Sequence, residues 1–196
     1  MLITFEGIDG AGKTTQAKRL YEHLIGSRRK AVLYREPGGV PVSEKLREIL
    51  VLSDLTVQAE LFLFEAARAE LVHRKIKPDL QAGFIVILDR FTDSTLAYQG
   101  YGRGIDLKLI KELNDFATGG LRPDVTFLLD IDPRSAIERL AKRSRFEDPD
   151  FLEKVRRGYL RIAEEDPERV MVIPSHPPTE EVFAEVRRFL KEKFDF

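Results

Sequence analysis

Cysteine is missing altogether from these 196 residues. Its absence excludes a disulfide framework and any thiolate chemistry. An excess of charge of one sign is missing too: 32 Lys and Arg stand against 33 Asp and Glu, for a formal net charge of -1. A surface that grips nucleic acid broadly needs a basic excess, so nucleic acid is not an expected partner. No apolar run approaches the roughly 18 residues needed to span a bilayer, which sets a membrane role aside. The chain starts directly on the apolar run of residues 1–5, leaving no space for a leader segment, and a cytoplasmic protein is the expectation. Amides are scarce as well. Asn114 is the only asparagine, and Gln16, Gln58, Gln81 and Gln99 are the only glutamines. With Lys, Arg and Glu abundant, that is a thermophile-like balance.

What is present is one domain's worth of chain, 43% hydrophobic and 33% charged, enough for a three-layer core. Its most informative stretch is Gly7, Ile8, Asp9, Gly10, Ala11, Gly12, Lys13 and Thr14, followed by Thr15. The spacing is G-x-x-x-x-G-K-T, the P-loop pattern. Before it lies an apolar strand-like run. After it, Ala17, Leu20, Tyr21 and Leu24 recur at helical steps. A strand turning sharply into a helix aims several backbone N–H groups at one point, at the positive end of the helix dipole. Lys13 then supplies a charge to the β- and γ-phosphates, and the Thr14 hydroxyl a ligand for Mg²⁺.

Along the chain, strand and helix alternate. Short apolar runs at 31–34, 84–88, 125–129 and 170–173 predict four more strands. Helices are expected over 42–52, with Ser43 as a candidate cap, and from a Thr56 cap through to about residue 80. Further helices are expected over 92–99 and 106–116, from Pro133, and from Thr179 to the end. The pattern implies a five-stranded parallel sheet with helices on both faces, wound right-handedly: a three-layer α/β P-loop NTPase fold spanning residues 1–196. Ligands of such sheets sit at the C-terminal edge of the strands. There the chain places the breaker cluster of Arg35, Glu36, Pro37, Gly38 and Gly39, and the pair Asp89 and Arg90.

A P-loop by itself leaves GTPases, motor ATPases, transporters and small-molecule kinases open. The Asn-Lys-x-Asp segment that reads guanine in common GTPases is absent, because Asn114 is followed by Asp115. Phosphoryl transfer needs charge neutralisation around the migrating group. Lys13, Arg90 and an arginine-rich segment holding Arg143 and Arg145 are the candidates, with Asp89 holding Mg²⁺ through water. A kinase for another nucleoside or nucleotide, or a switch that holds ATP without transferring phosphate, fits these residues too.

Together the residues resemble the thymidylate kinase family. The resemblance is carried by the run from Phe5 to Thr15, by Arg35 to Gly39, by Phe64 four residues before Arg68, by Asp89-Arg90-Phe91 and by Tyr98-Gln99-Gly100. Arg122-Pro123-Asp124 and Arg145-Phe146-Glu147 continue it. The resemblance implies transfer of the γ-phosphoryl of ATP to dTMP with Mg²⁺, and a homodimer. The apolar surplus at Leu61, Phe62, Leu63 and Phe64 is in keeping with that second copy. It implies that Phe64 stacks on the pyrimidine while Arg68, one helical turn away, hydrogen-bonds a ring carbonyl; taken alone, Phe64 reads as core and Arg68 as a surface charge. It also implies that Tyr98 lies under the sugar, that Thr95 and Gln99 look toward the base, and that Asp9 accepts from the 3′-hydroxyl. Arg47 and Arg90 would hold the acceptor phosphate, and Glu36 with Pro37, joined by a cis bond, would form the floor. Gly10 replaces a basic residue that some relatives carry there, which points to a lid, about residues 143–150, with Arg145 on the γ-phosphate and Arg143 second. Phe91 replaces a common tyrosine, and Arg139 is the candidate for the adenine face.

Overall fold

The computed structural model describes residues 1–140 and 148–194. Five parallel strands form one sheet in the order β2-β3-β1-β4-β5. They are β1 (Leu2–Glu6), β2 (Ala31–Arg35), β3 (Ile85–Asp89), β4 (Val125–Asp130) and β5 (Val170–Pro174). Every residue of β1 and β3 is buried, as expected of strands covered on both faces. Alternation along β3 splits its side chains: Ile85 and Ile87 join one apolar cluster, Val86 and Leu88 the other. Buried threonines sit opposite one another where β1 and β4 pair, and Thr4 Oγ1 and Thr126 Oγ1 satisfy each other at 2.7 Å. The chain passes from β3 across β1 to β4, so the strand order reverses around β1 and opens a crevice at its C-terminal end.

The helices are α1 (Lys13–Gly26), α2 (Pro41–Leu52), α3 (Val57–Leu71), α4 (Lys77–Gln81), α5 (Thr92–Thr95), α6 (Leu107–Thr118), α7 (Pro133–Glu138), α8 (Pro149–Glu165) and α9 (Thr179–Phe194). Several termini follow the expected chemistry. Thr56 Oγ1 accepts from Ala59 N at 3.3 Å, Asp106 caps α6, and Pro133 takes the first turn of α7.

Other expectations are corrected. Ser43 is no cap: α2 starts at Pro41, and Ser43 Oγ instead donates to Ala67 O at 2.8 Å, tying α2 to α3. The helix expected to run to about residue 80 is interrupted by a π-helical turn, Val72–Ile76, before α4. Pro78 accounts for it. A proline there has no N–H to give and its ring crowds the carbonyl four residues back, so the chain widens by one residue beforehand. A second π-helical stretch, Leu96–Gly102, replaces the second half of the helix expected over 92–99. It carries Tyr98 and Gln99, and wide turns of this kind gather at functional sites.

The helix α8 lies against that second π-helical stretch at Gly158. A Cβ there would stand 2.6 Å from Tyr101 Cβ, a distance that packed side chains do not reach. Gly158→Ala therefore forces the two elements apart despite alanine's better helix propensity. The expected result is a loss of about 1–3 kcal/mol in denaturant unfolding, the usual scale of overpacking. An unchanged or raised midpoint would show that the contact gives way freely.

Candidate active site

At the end of β1 the chain turns through the glycine-rich loop into α1. The loop packs tightly on its neighbours: a Cβ on Gly7 would lie 2.5 Å from Leu129 O, and one on Gly10 2.2 Å from Ala136 O. Both glycines also adopt positive φ, 139° and 84°. Lys13 Nζ donates to Ile8 O at 2.7 Å within the loop. Burial, reinforced by Arg90, pulls the Lys13 ammonium down to about 8. Thr14 Oγ1 donates to Asp89 Oδ2 at 2.5 Å, which brings a hydroxyl and a carboxylate to one point at the loop's edge. Residues 9–15 and Asp89, but neither Gly7 nor Ile8, line a cavity of about 800 Å³ that continues past Arg139 to the loop of Ser175, His176 and Pro177.

Two neighbours at the C-terminal end of β3 face different tasks. Asp89 meets Thr14, while Arg90, at φ 75°, turns its side chain to the loop. Arg90 Nη2 donates to Asp9 Oδ1 at 2.6 Å, and Nη1 to Gly7 O at 3.2 Å. Its guanidinium lies 5.0 Å from the centre of the Tyr98 ring. Tyr98 OH is 3.3 Å from Asp9 Oδ2. Burial alone would raise the Asp9 carboxyl, but Arg90 and Lys13 outweigh it and hold the group below its ordinary value. Beneath this pair sits Glu6, wholly buried, accepting from Phe91 N at 2.7 Å, Ser94 Oγ at 2.6 Å and Tyr159 OH at 2.8 Å. Burial, and then Asp93, raise its carboxyl.

A second cavity, of about 310 Å³, opens beside the first. Leu50, Val51, Pro37 and Phe64 supply apolar wall, and Thr95, Tyr98, Gln99 and Arg68 the polar points. A mostly apolar pocket with a few placed polar groups is the ordinary form of a small-molecule site. Asp9, Glu36, Arg47 and Arg90 line both cavities, so the two meet across these side chains. The peptide bond between Glu36 and Pro37 is cis, as the resemblance implies, and Arg47 Nη1 donates to Pro37 O at 3.1 Å. Gln99 Nε2 donates to Glu60 Oε1 at 2.9 Å. Arg139 Nη1 donates to Ser175 O at 2.9 Å, which fixes it against the far loop of the larger cavity.

Arg68 is the clearest departure from a reading of residues one at a time. It is no surface charge: only 2% of it is exposed, and Glu36 and Glu65 both pair with it at 2.9 Å. Burial works against its charge, yet the two carboxylates more than offset this and hold the guanidinium above its ordinary value. Burial pushes Glu36 up to about 7 even with Arg68 beside it. Glu36 Oε1 and Glu65 Oε2 are buried with no hydrogen-bond partner among the described residues.

The structure thus brings together the loop residues, Thr14 with Asp89, and all the residues expected around a nucleotide acceptor. Arg143 and Arg145 lie outside the described residues. Glu6, Glu65, Asn114, Tyr159 and Ser175 were not singled out. Signals existed for two of them: Glu6 ends an apolar strand at the ligand edge, and Asn114 interrupts the apolar face that Ile110 and Ala117 define on α6. Among the described residues no group of three or more His, Asp or Glu could hold a metal as an all-protein cage. One hydroxyl and one carboxylate suit a hard cation that keeps several waters and shares phosphate oxygens, which is the habit of Mg²⁺.

Comparison with known proteins bears on this geometry directly. The family profile described as "Thymidylate kinase" matches residues 5–186. The thymidylate kinase of Desulfovibrio desulfuricans is 47% identical, over 95% of this chain and 93% of the relative. That of Chlorobium luteolum is 46% identical over 99% and 98%. A crystal structure of thymidylate kinase from Ehrlichia chaffeensis superposes with a TM-score of 0.83 at 41% identity, covering 97% of this chain and 98% of that one. With near-complete coverage at that identity, and two cavities that meet at Asp9 and Arg90, the chain belongs to the thymidylate kinase family, phosphotransferases that act on a nucleoside monophosphate.

Proposed function

We propose that the two joined cavities divide the thymidylate kinase reaction between them. ATP, the phosphoryl donor, occupies the larger one along the loop and α1, and dTMP the smaller one. The observation that carries this reading is the wall they share, where Asp9, Arg47 and Arg90 line both spaces. An oxygen of the dTMP phosphate forms a bond to the γ-phosphorus. The bond from that phosphorus to the bridging oxygen breaks, its electron pair leaves with ADP, and dTDP is released. The attacking phosphate oxygen is already anionic near neutral pH, so no general base is required. Arg90 and Arg47 hold the dTMP phosphate in line, which is the larger part of phosphoryl-transfer catalysis. Asp9 accepts from the 3′-hydroxyl, and Tyr98, fixed against Arg90, backs the sugar. Phe64 stacks on the pyrimidine, Arg68 donates to a ring carbonyl, and Thr95 and Gln99 complete that end. Lys13 and the loop amides take the β- and γ-phosphates, and Arg139 flanks the adenine. Thr14 and Asp89 are the residues that would hold Mg²⁺, which neutralises charge on the phosphate oxygens.

Two further readings belong to the same proposal. No helix of the described residues is long and apolar enough to cross a membrane; a cytoplasmic location is part of the proposal, in keeping with a sequence that has no cysteine. It works as a homodimer. Phe116 is 87% exposed and Phe62 60%, and Leu109 is exposed as well. Leu109, Leu113 and Phe116 recur at helical steps on α6, which packs on the α3 that bears Phe62. An apolar patch of that kind marks a protein interface.

Three measurements bear on these assignments. ADP formation across dTMP, dUMP, dCMP and thymidine should favour dTMP, and Phe64→Ala should raise the dTMP KM roughly tenfold to a hundredfold, the scale of one base stacked on an aromatic ring. Unaltered dTMP affinity removes the stacking role. For Lys13, whose ammonium sits near 8, a bound triphosphate favours the protonated form, so ATP binding at pH 8 takes up on the order of half a proton. Titration calorimetry in buffers of different ionisation enthalpy reads this uptake, and Lys13→Ala should abolish both it and turnover; uptake that survives the substitution places the proton elsewhere. Lastly, Phe116→Asp should halve the mass seen by sedimentation, and an unchanged assembly moves the interface to another face.

A further inference from the structure

A guanidinium has five N–H donors in a rigid fork. In Arg68, four go to protein acceptors: Nε to Glu36 Oε2 at 2.9 Å, Nη1 to Glu65 Oε1 at 2.9 Å and Asn114 Oδ1 at 2.6 Å, and Nη2 to Phe91 O at 3.0 Å. A longer contact to Thr95 Oγ1, at 3.1 Å, shares Nη1. One Nη2 hydrogen is left without an acceptor among the described residues, on a side chain that lines the dTMP cavity. Because the fork is planar, the direction of that last N–H is set by the other four. The acceptor with the shortest bond is Asn114.

Asn114 is the chain's only asparagine and is 4% exposed, inside α6. The reaction as described makes no use of it. Its amide is oriented without ambiguity. Nδ2 donates to Thr92 O at 3.2 Å, which turns Oδ1 toward Arg68 and toward the Thr95 hydroxyl at 3.0 Å. An amide also suits this position electrostatically. Glu36 and Glu65 already give Arg68 two carboxylates, each with a buried oxygen lacking a partner among the described residues, and a third carboxylate would add uncompensated charge. A neutral acceptor steers the fork without adding to that excess.

We propose that Asn114 is a positioning residue for base selection: its amide oxygen sets the tilt of Arg68 so that the free N–H meets the carbonyl at position 4 of the pyrimidine. A 4-amino pyrimidine presents N–H groups at that point, and two donors facing each other leave both unpaired. Asn114 thereby governs discrimination between 4-oxo and 4-amino nucleotides without touching either. The inference rests on the assignment of Arg68 to the base, and the test separates the two.

The comparison is of kcat/KM for dTMP against 5-methyl-dCMP, which keeps the methyl group and the sugar phosphate and exchanges the 4-oxo group for a 4-amino group. Asn114→Ala should raise the dTMP KM about tenfold, the scale of one hydrogen bond to a charged group, and lower the dTMP preference by a similar factor. The kcat and the KM for ATP should stay within about twofold, since neither involves the base. Asn114→Asp keeps an oxygen toward Arg68 but gives up the donor to Thr92, and should retain most of the preference. If the alanine variant does not accumulate, Asn114→Ser, too short to span to Arg68, takes its place. A preference unchanged in the alanine or serine variant overturns the proposal, and so does equal loss in the aspartate variant, which would assign the effect to the Thr92 link. Arg68→Lys serves as the control. If it leaves the preference intact, the base assignment of Arg68 itself falls; if it destroys the preference while Asn114→Ala does not, only the role of Asn114 is lost.

Discussion

The active centre depends on the Arg90 guanidinium being held in one orientation where the two cavities meet. A bond to Asp9, a bond to the Gly7 carbonyl and the face of Tyr98 fix it from three sides. The backbone at Arg90 adopts a left-handed φ of 75° that non-glycine residues rarely take. That turn sends adjacent side chains to different partners, Asp89 to Thr14 and Arg90 to Asp9. Glu6 secures the turn by accepting from the Phe91 N–H. The pair keeps some exposure, 16% for the Arg90 side chain and 32% for that of Asp9, so it contributes little net stability of its own. Its value is preorganisation: the cation is already oriented when a phosphate arrives, and no reorganisation is needed at the moment of transfer.

Much of this was legible in the sequence, and for identifiable reasons. The parallel sheet followed from five short apolar runs separated by helical ones, since strands covered on both faces have no polar alternation to hide them. The loop was legible because close backbone approach demands glycine at fixed spacing, and the observed contacts at Gly7 and Gly10 show that demand. The π-helical turns were not, because a residue's helical spacing changes little when one turn widens. Nor was the set of side chains around Arg68. Glu65 stands one helical turn before it, a local spacing, but Glu36 and Asn114 reach it from 32 and 46 residues away, and no local pattern joins those two to it. A lone Arg on a helix looks solvated until the elements that wall it off are placed.

Glu36 shows how the two cavities are linked in energy as well as in space. Its carboxylate lies against Arg68 at the base end and lines the donor cavity too. Pro37, beside it, accepts from Arg47. One short segment after β2 therefore touches Arg68, Arg47 and the wall of the larger cavity, so the arginines proposed to read the base and to hold the phosphate share one support.

The distribution of charge within the smaller cavity gives the proposed acceptor nucleotide one favoured orientation. At one end, Arg68 is matched by Glu36 and Glu65, so it carries no surplus positive charge; with the Glu36 carboxyl near 7, the trio is close to neutral or slightly negative at neutral pH. Such an arginine is a poor site for a dianionic phosphate but remains an N–H donor to a neutral ring. At the other end, Arg90 pairs with Asp9 and feels Asp89 as well, but Arg47 adds a second guanidinium whose bond goes to a carbonyl, which takes no charge away. Lys13 lies close enough to help Arg90 hold Asp9 ionised, so its field reaches the same end. Both ends carry arginine, and what differs is how many cations share the carboxylates: one guanidinium between Glu36 and Glu65, against Arg90, Arg47 and Lys13 at the other end. Under the proposed assignment, that balance makes one arginine a reader of bases and the other a clamp for phosphate.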